Sequence, residues 1–83
     1  MDIAEHIAKI GPAALARSSG VSRAHLTNVI AGRDRLSAPA CVAVATAAGC
    51  EIADVVTAYG GAWAIIRLRL ALAEGKDARE ALS

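Results

Sequence analysis

The chain has no phenylalanine, one tryptophan and one tyrosine, so aromatics fill only 2 % of its 83 positions although 55 % are hydrophobic. Alanine and leucine supply much of the apolar content. They form helices well, which favours short, closely packed helices over a β-sandwich. No stretch alternates apolar and polar residues as a half-buried strand does, no internal repeat is visible, and no low-complexity run argues for disorder. Long hydrophobic runs are also lacking. The most apolar stretch, 52–66, is interrupted by Asp54, Gly60 and Gly61 and is too short to span a bilayer. The start, Met1-Asp2, carries an acid where a secretory signal carries basic residues. The expectation is a soluble, cytoplasmic protein. Cys41 and Cys50 lie nine apart, which is not a zinc spacing, and His6 and His25 complete no ligand set. They read as small core residues, with a disulfide or a redox switch as the alternative, and neither a metal nor a cofactor is expected.

Excess charge is scarce too. The net charge is +1, but it is unevenly distributed. Residues 1–10 carry Asp2, Glu5 and Lys9. Residues 11–50 carry Arg17, Arg23, Arg33 and Arg35 against Asp34 alone. Residues 51–83 carry four basic and five acidic side chains. The basic excess thus lies wholly in the middle of the chain, and such a local patch suffices to attract phosphates.

Helix punctuation is plentiful. Asp2 and Glu5 have capping-box spacing before a helix whose inward face is Ile3, Ile7 and Ile10. Gly11 ends it. Pro12 opens a second helix reaching about Ser18, with Leu15 inward. Ser22 caps a third that reaches about Ala31, with Leu26, Val29 and in part Ile30 inward, and Gly32 stops it. After a polar loop, 33–37, Ser37 caps a fourth helix, 38–48, ended by Gly49, to which Val42, Val44 and Ala45 give apolar contacts. A fifth helix runs over 52–58. The segment 59–61 is a break, and a last helix runs from Ala62 at least to Ala73, with 74–77 expected to loosen or restart it. Length bounds the chain to one short domain, divided at residue 60 into a DNA-binding part, 1–60, and a C-terminal helical extension, 61–83.

The second and third helices, joined by Ser19-Gly20-Val21, meet the demands of a helix-turn-helix. Ala16 is small enough for close approach, Gly20 permits the turn, and Val21, Leu26 and Val29 lock the helices together. The stretch from Ala14 to Arg33, continued through Pro39, the 41–49 helix and Ile52-Ala53-Asp54-Val55-Val56, resembles the Cro/repressor-like (xenobiotic-response-element) helix-turn-helix family. The resemblance covers roughly residues 3–58. It implies an all-α, lambda-repressor-like globule of five helices, here with an added C-terminal helix, whose third helix enters the major groove of DNA. Where many members carry Gln at the start of the second helix, this chain has Pro12, which removes one phosphate contact or hands it to a backbone N–H.

On the third helix Ser22, Arg23, Ala24, Thr27 and Asn28 point outward, the positions to which the resemblance assigns base contact. Arg23 suits guanine O6 and N7, Asn28 suits adenine, and Ala24 and the Thr27 methyl suit a thymine methyl. Arg33 and Arg35, with Arg17 and His25, are the expected phosphate contacts; half-buried packing is the alternative for His25. The last helix carries two apolar stripes, Trp63, Ile66 and Leu70 on one side and Ile65, Leu68 and Leu72 on the other. One is expected to face the chain's own core and the other a second copy in a homodimer, with burial of both stripes within the monomer as the alternative. The expected function is a sequence-specific transcriptional repressor of phage or bacterial type acting on a double-stranded operator, with no small-molecule ligand. The alternatives are the antitoxin of a toxin–antitoxin pair, gripping its toxin through the C-terminal helices, and a helical interaction module that does not bind DNA. Catalysis is not expected: His6, His25, Ser18, Ser19, Asp34 and Asp54 form no motif.

Overall fold

Capping residues and glycines divide the chain into helices, and the computed structural model describes residues 2–82. Met1 and Ser83, which belong to the expected parts 1–60 and 61–83, lie outside the described residues. The helices are α1 (Ile3–Ile10), α2 (Pro12–Ser19), α3 (Arg23–Ile30), α4 (Ala38–Ala48), α5 (Ile52–Tyr59), α6 (Ala62–Ala73) and α7 (Ala78–Leu82). The fold is all-helical over these residues, but it has seven helices where six were expected. No helix among them is long and apolar enough to cross a membrane.

Most ends follow from the residues at them. The Ser37 hydroxyl accepts from the Ala40 N–H at 3.3 Å and caps α4. At the start of α1 the expectation fails in part. Asp2 holds the N-cap backbone conformation but forms no side-chain cap, so the capping box with Glu5 is not made.

Helix α4 is the centre of the molecule. It packs against α1, α2, α5, α6 and α7. Ala38, Cys41, Val44, Ala45 and Ala48 are all buried on it. Apolar residues on every side mark a helix enclosed by neighbours, and small side chains let those neighbours come close. Ile7, Leu15, Leu26, Val29, Val55 and Val56 complete the core from the surrounding helices.

Two parts of the fold were not foreseen. The loop 31–37 is not wholly polar, because Leu36 is 2 % exposed. Its backbone forms a single parallel bridge with Gly60. Leu36 N–H donates to the Tyr59 carbonyl at 2.8 Å, and Gly61 N–H donates to the Leu36 carbonyl at 3.0 Å. This clasp joins the α3–α4 loop to the α5–α6 junction. The second is α7. After α6 the chain turns back through Gly75-Lys76-Asp77, the Asp77 carboxylate accepts from Arg79 N–H at 2.8 Å, and Leu82 enters the core with no exposed surface. Arg67 Nη2 donates to the Ala81 carbonyl and Arg79 Nη2 to Thr46 Oγ1, both at 3.1 Å, tying α7 to α6 and α4.

The C-terminal segment therefore shares the one core. Ala64, Leu68 and Ala71 are the buried residues of α6. This corrects part of the expected dimer surface: Leu68 is 6 % exposed and closed to a second copy, and Ile65 is half-buried against the core.

Both cysteines are free thiols. Burial pushes the Cys41 thiol up to about 11. Burial also raises that of half-buried Cys50, helped by the negative charge of Asp54. Burial, then the charges of Asp2 and Cys50, likewise raise Tyr59. A raised pKa leaves less thiolate at a given pH, so at pH 8 a thiol reagent should label Cys50 first and reach Cys41 only on unfolding. Equal native-state rates at the two sites would contradict the burial difference.

The clasp yields a second expectation. A Cβ added at Gly60 would lie 2.6 Å from the Val56 carbonyl oxygen, a backbone atom that cannot swing away, whereas at Gly61 the nearest atom is 3.7 Å off. Gly60→Ala should cost about 1–3 kcal/mol in chemical denaturation, the usual range for overpacking. Gly61→Ser, which places a hydroxyl at the N-cap of α6, should leave stability unchanged or raise it.

Candidate nucleic-acid interface

Helices α2 and α3 are each eight residues long and are joined by Gly20-Val21-Ser22. Gly20 has a φ of 80°, the left-handed conformation that a residue with a Cβ adopts only at a cost. The Ser19 hydroxyl donates to the Leu15 carbonyl at 2.6 Å and accepts from Val21 N–H at 3.2 Å, so one side chain braces both ends of the turn. Ser22 then caps α3, its hydroxyl accepting from His25 N–H at 3.1 Å. Leu26 and Val29 are buried and Ile30 and Val21 pack against the core, as their spacing implies. At the far end Gly32, with φ of 81°, turns the chain. Arg33 N–H returns to the Asn28 carbonyl at 2.8 Å and Gly32 N–H to that of Val29 at 3.1 Å, the two bonds of a Schellman cap.

This frame sets which side chains face outward. Ser22, Arg23, Ala24 and Thr27 are exposed; Asn28 and His25 are half-buried. The Thr27 hydroxyl donates to the Arg23 carbonyl at 2.9 Å, so its hydrogen is used inside the helix. Arg17 is exposed on α2. The side chains of Arg17 and Arg23 have no hydrogen bond or ion pair with another described residue.

The other basic candidates are engaged within the chain. Arg33 Nε donates to Asn28 Oδ1 at 3.2 Å, so a phosphate candidate and a base candidate hold each other. His25 Nδ1 lies 3.1 Å from Asp34 Oδ2, joining the first turn of α3 to the loop behind it. Asp34 Oδ1 also accepts from Arg35 N–H at 2.8 Å. Arg35 Nη1 donates to the Ala58 carbonyl at 3.2 Å, where a cation complements the C-terminal end of α5. Residue spacing carried no signal for the Asn28–Arg33 and His25–Asp34 pairs, because loop geometry sets both.

An open cleft of about 490 Å³ lies elsewhere, lined by Asp2, Ile3, His6, Gly49, Cys50, Glu51 and Asp54. In it His6 Nε2 is 2.8 Å from the Ala48 carbonyl. Among the described residues no group of three or more His, Cys, Asp or Glu is placed to hold a metal ion.

No family model matches the chain, and no curated protein or solved structure matches it.

Because the Ser22 hydroxyl satisfies an N–H that α3 otherwise leaves open, Ser22→Ala should lower stability by ~1 kcal/mol. Ser22→Asp, which restores an acceptor, should recover most of it in the same denaturant titration. An unchanged midpoint for Ser22→Ala would remove the cap from the account of this surface.

Proposed function

We propose that the chain is a sequence-specific double-stranded DNA-binding transcriptional regulator, a repressor of Cro/repressor-like type, in which α2 and α3 act as a helix-turn-helix and α3 enters the major groove. One observation carries the reading: α3 is capped at both ends, locked by Leu26 and Val29, and presents Arg23 outward without an internal partner. A guanidinium on a rigid helix satisfies the geometry for paired hydrogen bonds to guanine O6 and N7. Ala24 and the Thr27 methyl beside it suit a thymine methyl, since the Thr27 hydroxyl is already committed.

The internal bonds refine the roles. Arg33 keeps its terminal guanidinium nitrogens for a phosphate while its Nε orients Asn28. With Oδ1 already accepting, Asn28 offers chiefly its N–H donors, which suits a purine N7. Arg17 is the phosphate contact of α2. His25 and Arg35 hold the loop through Nδ1 and Nη1, and keep Nε2 of the imidazole and the remaining guanidinium N–H groups for a phosphate.

Sequencing of duplexes retained from a random pool should give a short common motif. On it, Arg23→Ala should lose much more affinity than on random DNA, in line with the roughly 1–3 kcal/mol of one paired contact. Arg33→Ala should flatten the plot of log affinity against log salt by about 0.9 per phosphate released, losing affinity on all sequences and somewhat more on the motif, because Asn28 loses the Arg33 Nε that orients it. Failure to retard any duplex at low salt would overturn the proposal. Equal losses on both DNAs would remove Arg23 from base reading.

A further inference from the structure

An imidazole and a carboxylate meet at the edge of the candidate DNA-reading surface. His25 stands in the first turn of α3, where the Ser22 hydroxyl caps its backbone N–H. Its Nδ1 lies 3.1 Å from Asp34 Oδ2, and the other carboxylate oxygen accepts from Arg35 N–H at 2.8 Å. Both oxygens of Asp34 are therefore used, which fixes the carboxylate against the ring. A carboxylate offers only lone pairs, so the imidazole nitrogen that meets it carries a hydrogen. The state of the other nitrogen follows. A neutral imidazole has one N–H, here at Nδ1, which leaves Nε2 as an acceptor. Nε2 has no partner among the described residues, and no half-buried side chain among them hides an unpartnered polar atom, so Nε2 reaches the surface.

Phosphate oxygens are acceptors as well. A neutral His25 held by Asp34 turns a lone pair toward them and cannot bond. Only the imidazolium has an N–H at each nitrogen, one for Asp34 and one for a phosphate. We propose that the His25–Asp34 pair couples DNA binding to a proton: the chain takes up a proton at His25 as it binds, and affinity falls as pH rises. This rests on the DNA-binding reading and names how that surface is regulated.

The charges around the imidazole act in two directions. Asp34 attracts the proton. The start of α3, the positive end of that helix, repels it. So do the cations of Arg23 on the same helix and of Arg33 and Arg35 in the loop, whose guanidinium groups rest on Asn28 and on the Ala58 carbonyl. Of the helices packed on α3, α1 carries Glu5, His6 and Lys9 and α2 carries Arg17, and none of these bonds to His25. A phosphate at Nε2 adds negative charge on the open side of the ring and accepts the second N–H, so both effects tie bound DNA to the protonated form. The sign is fixed by this: the contact is made below the range in which imidazoles titrate and is lost above it.

A mixed-sequence duplex is a sufficient probe, since phosphate contacts carry no sequence information. At fixed low salt, binding should be about tenfold tighter at about pH 6 than at about pH 8, the order of one hydrogen bond to a charged group. His25→Gln, which has no proton to gain, should bind at both pH values as the wild type does at the higher one. Asp34→Asn separates this chemistry from support of the loop. Its amide oxygen can keep the Arg35 N–H while its NH2 faces Nδ1, which moves the ring hydrogen to Nε2 with no proton from solution. Its affinity should therefore stay high at the higher pH and lose its dependence on pH. NMR of the imidazole nitrogens in the free protein needs no DNA, and at the higher pH it should show His25 as the Nδ1–H tautomer. Equal wild-type affinity at both pH values, an Nε2–H tautomer, or a pH dependence that survives in His25→Gln overturns the proposal and leaves the DNA-binding reading standing. A chain that retards no duplex at either pH overturns that reading, and the proposal with it.

Discussion

The whole molecule depends on the close packing around α4. Ala38, Cys41, Val44, Ala45 and Ala48 are buried on that helix, and five other helices lie on it. Small side chains make this possible, because the approach distance of two helices is set by the side chains between them. A short chain with almost no aromatic bulk cannot fill a wide core, so it builds a narrow one. The candidate DNA-reading surface is supported at one remove. Helix α2 rests on α4, and α3 rests on α2 and α1.

The same economy explains the loop between α3 and α4. Leu36 plugs the core, and its backbone pairs with Tyr59 and Gly61. Arg35 closes on the end of α5 and Asp34 on His25. Exposed polar contacts such as His25–Asp34 contribute little stability, roughly 0–1 kcal/mol. Their effect is positional: they hold the loop that carries Arg33 against the end of α3. In the proposed function this leaves Arg23 free to meet a base and Arg33 free to meet a phosphate, with little rearrangement of the backbone between them.

Much of the architecture was legible before any coordinates. Ser22, Ser37, Pro12, Gly32 and Gly49 announce helix ends through local chemistry, and α4 begins and ends where they imply. The inward residues of α3 were legible because a locked face recurs at helical spacing. Other features were not. The buried side of α6 is marked by Ala64 and Ala71 as much as by Leu68, and alanine is too common here to stand out. Leu36 is a single leucine among charges. Helix α7 has only Leu82 to announce it, and one residue makes no period.

The sequence by itself determined where α1 to α5 start and stop and where α6 starts, which residues of α3 point outward, and that the basic excess sits in the middle of the chain, because these follow from bonding and spacing within a few residues. Only the tertiary structure decided that 61–82 shares the core, that the Trp63 stripe rather than Leu68 is left uncovered, and that Asn28, His25 and Arg35 are already engaged. Those outcomes rest on contacts between residues distant in the chain or held by a loop, and no local pattern encodes them.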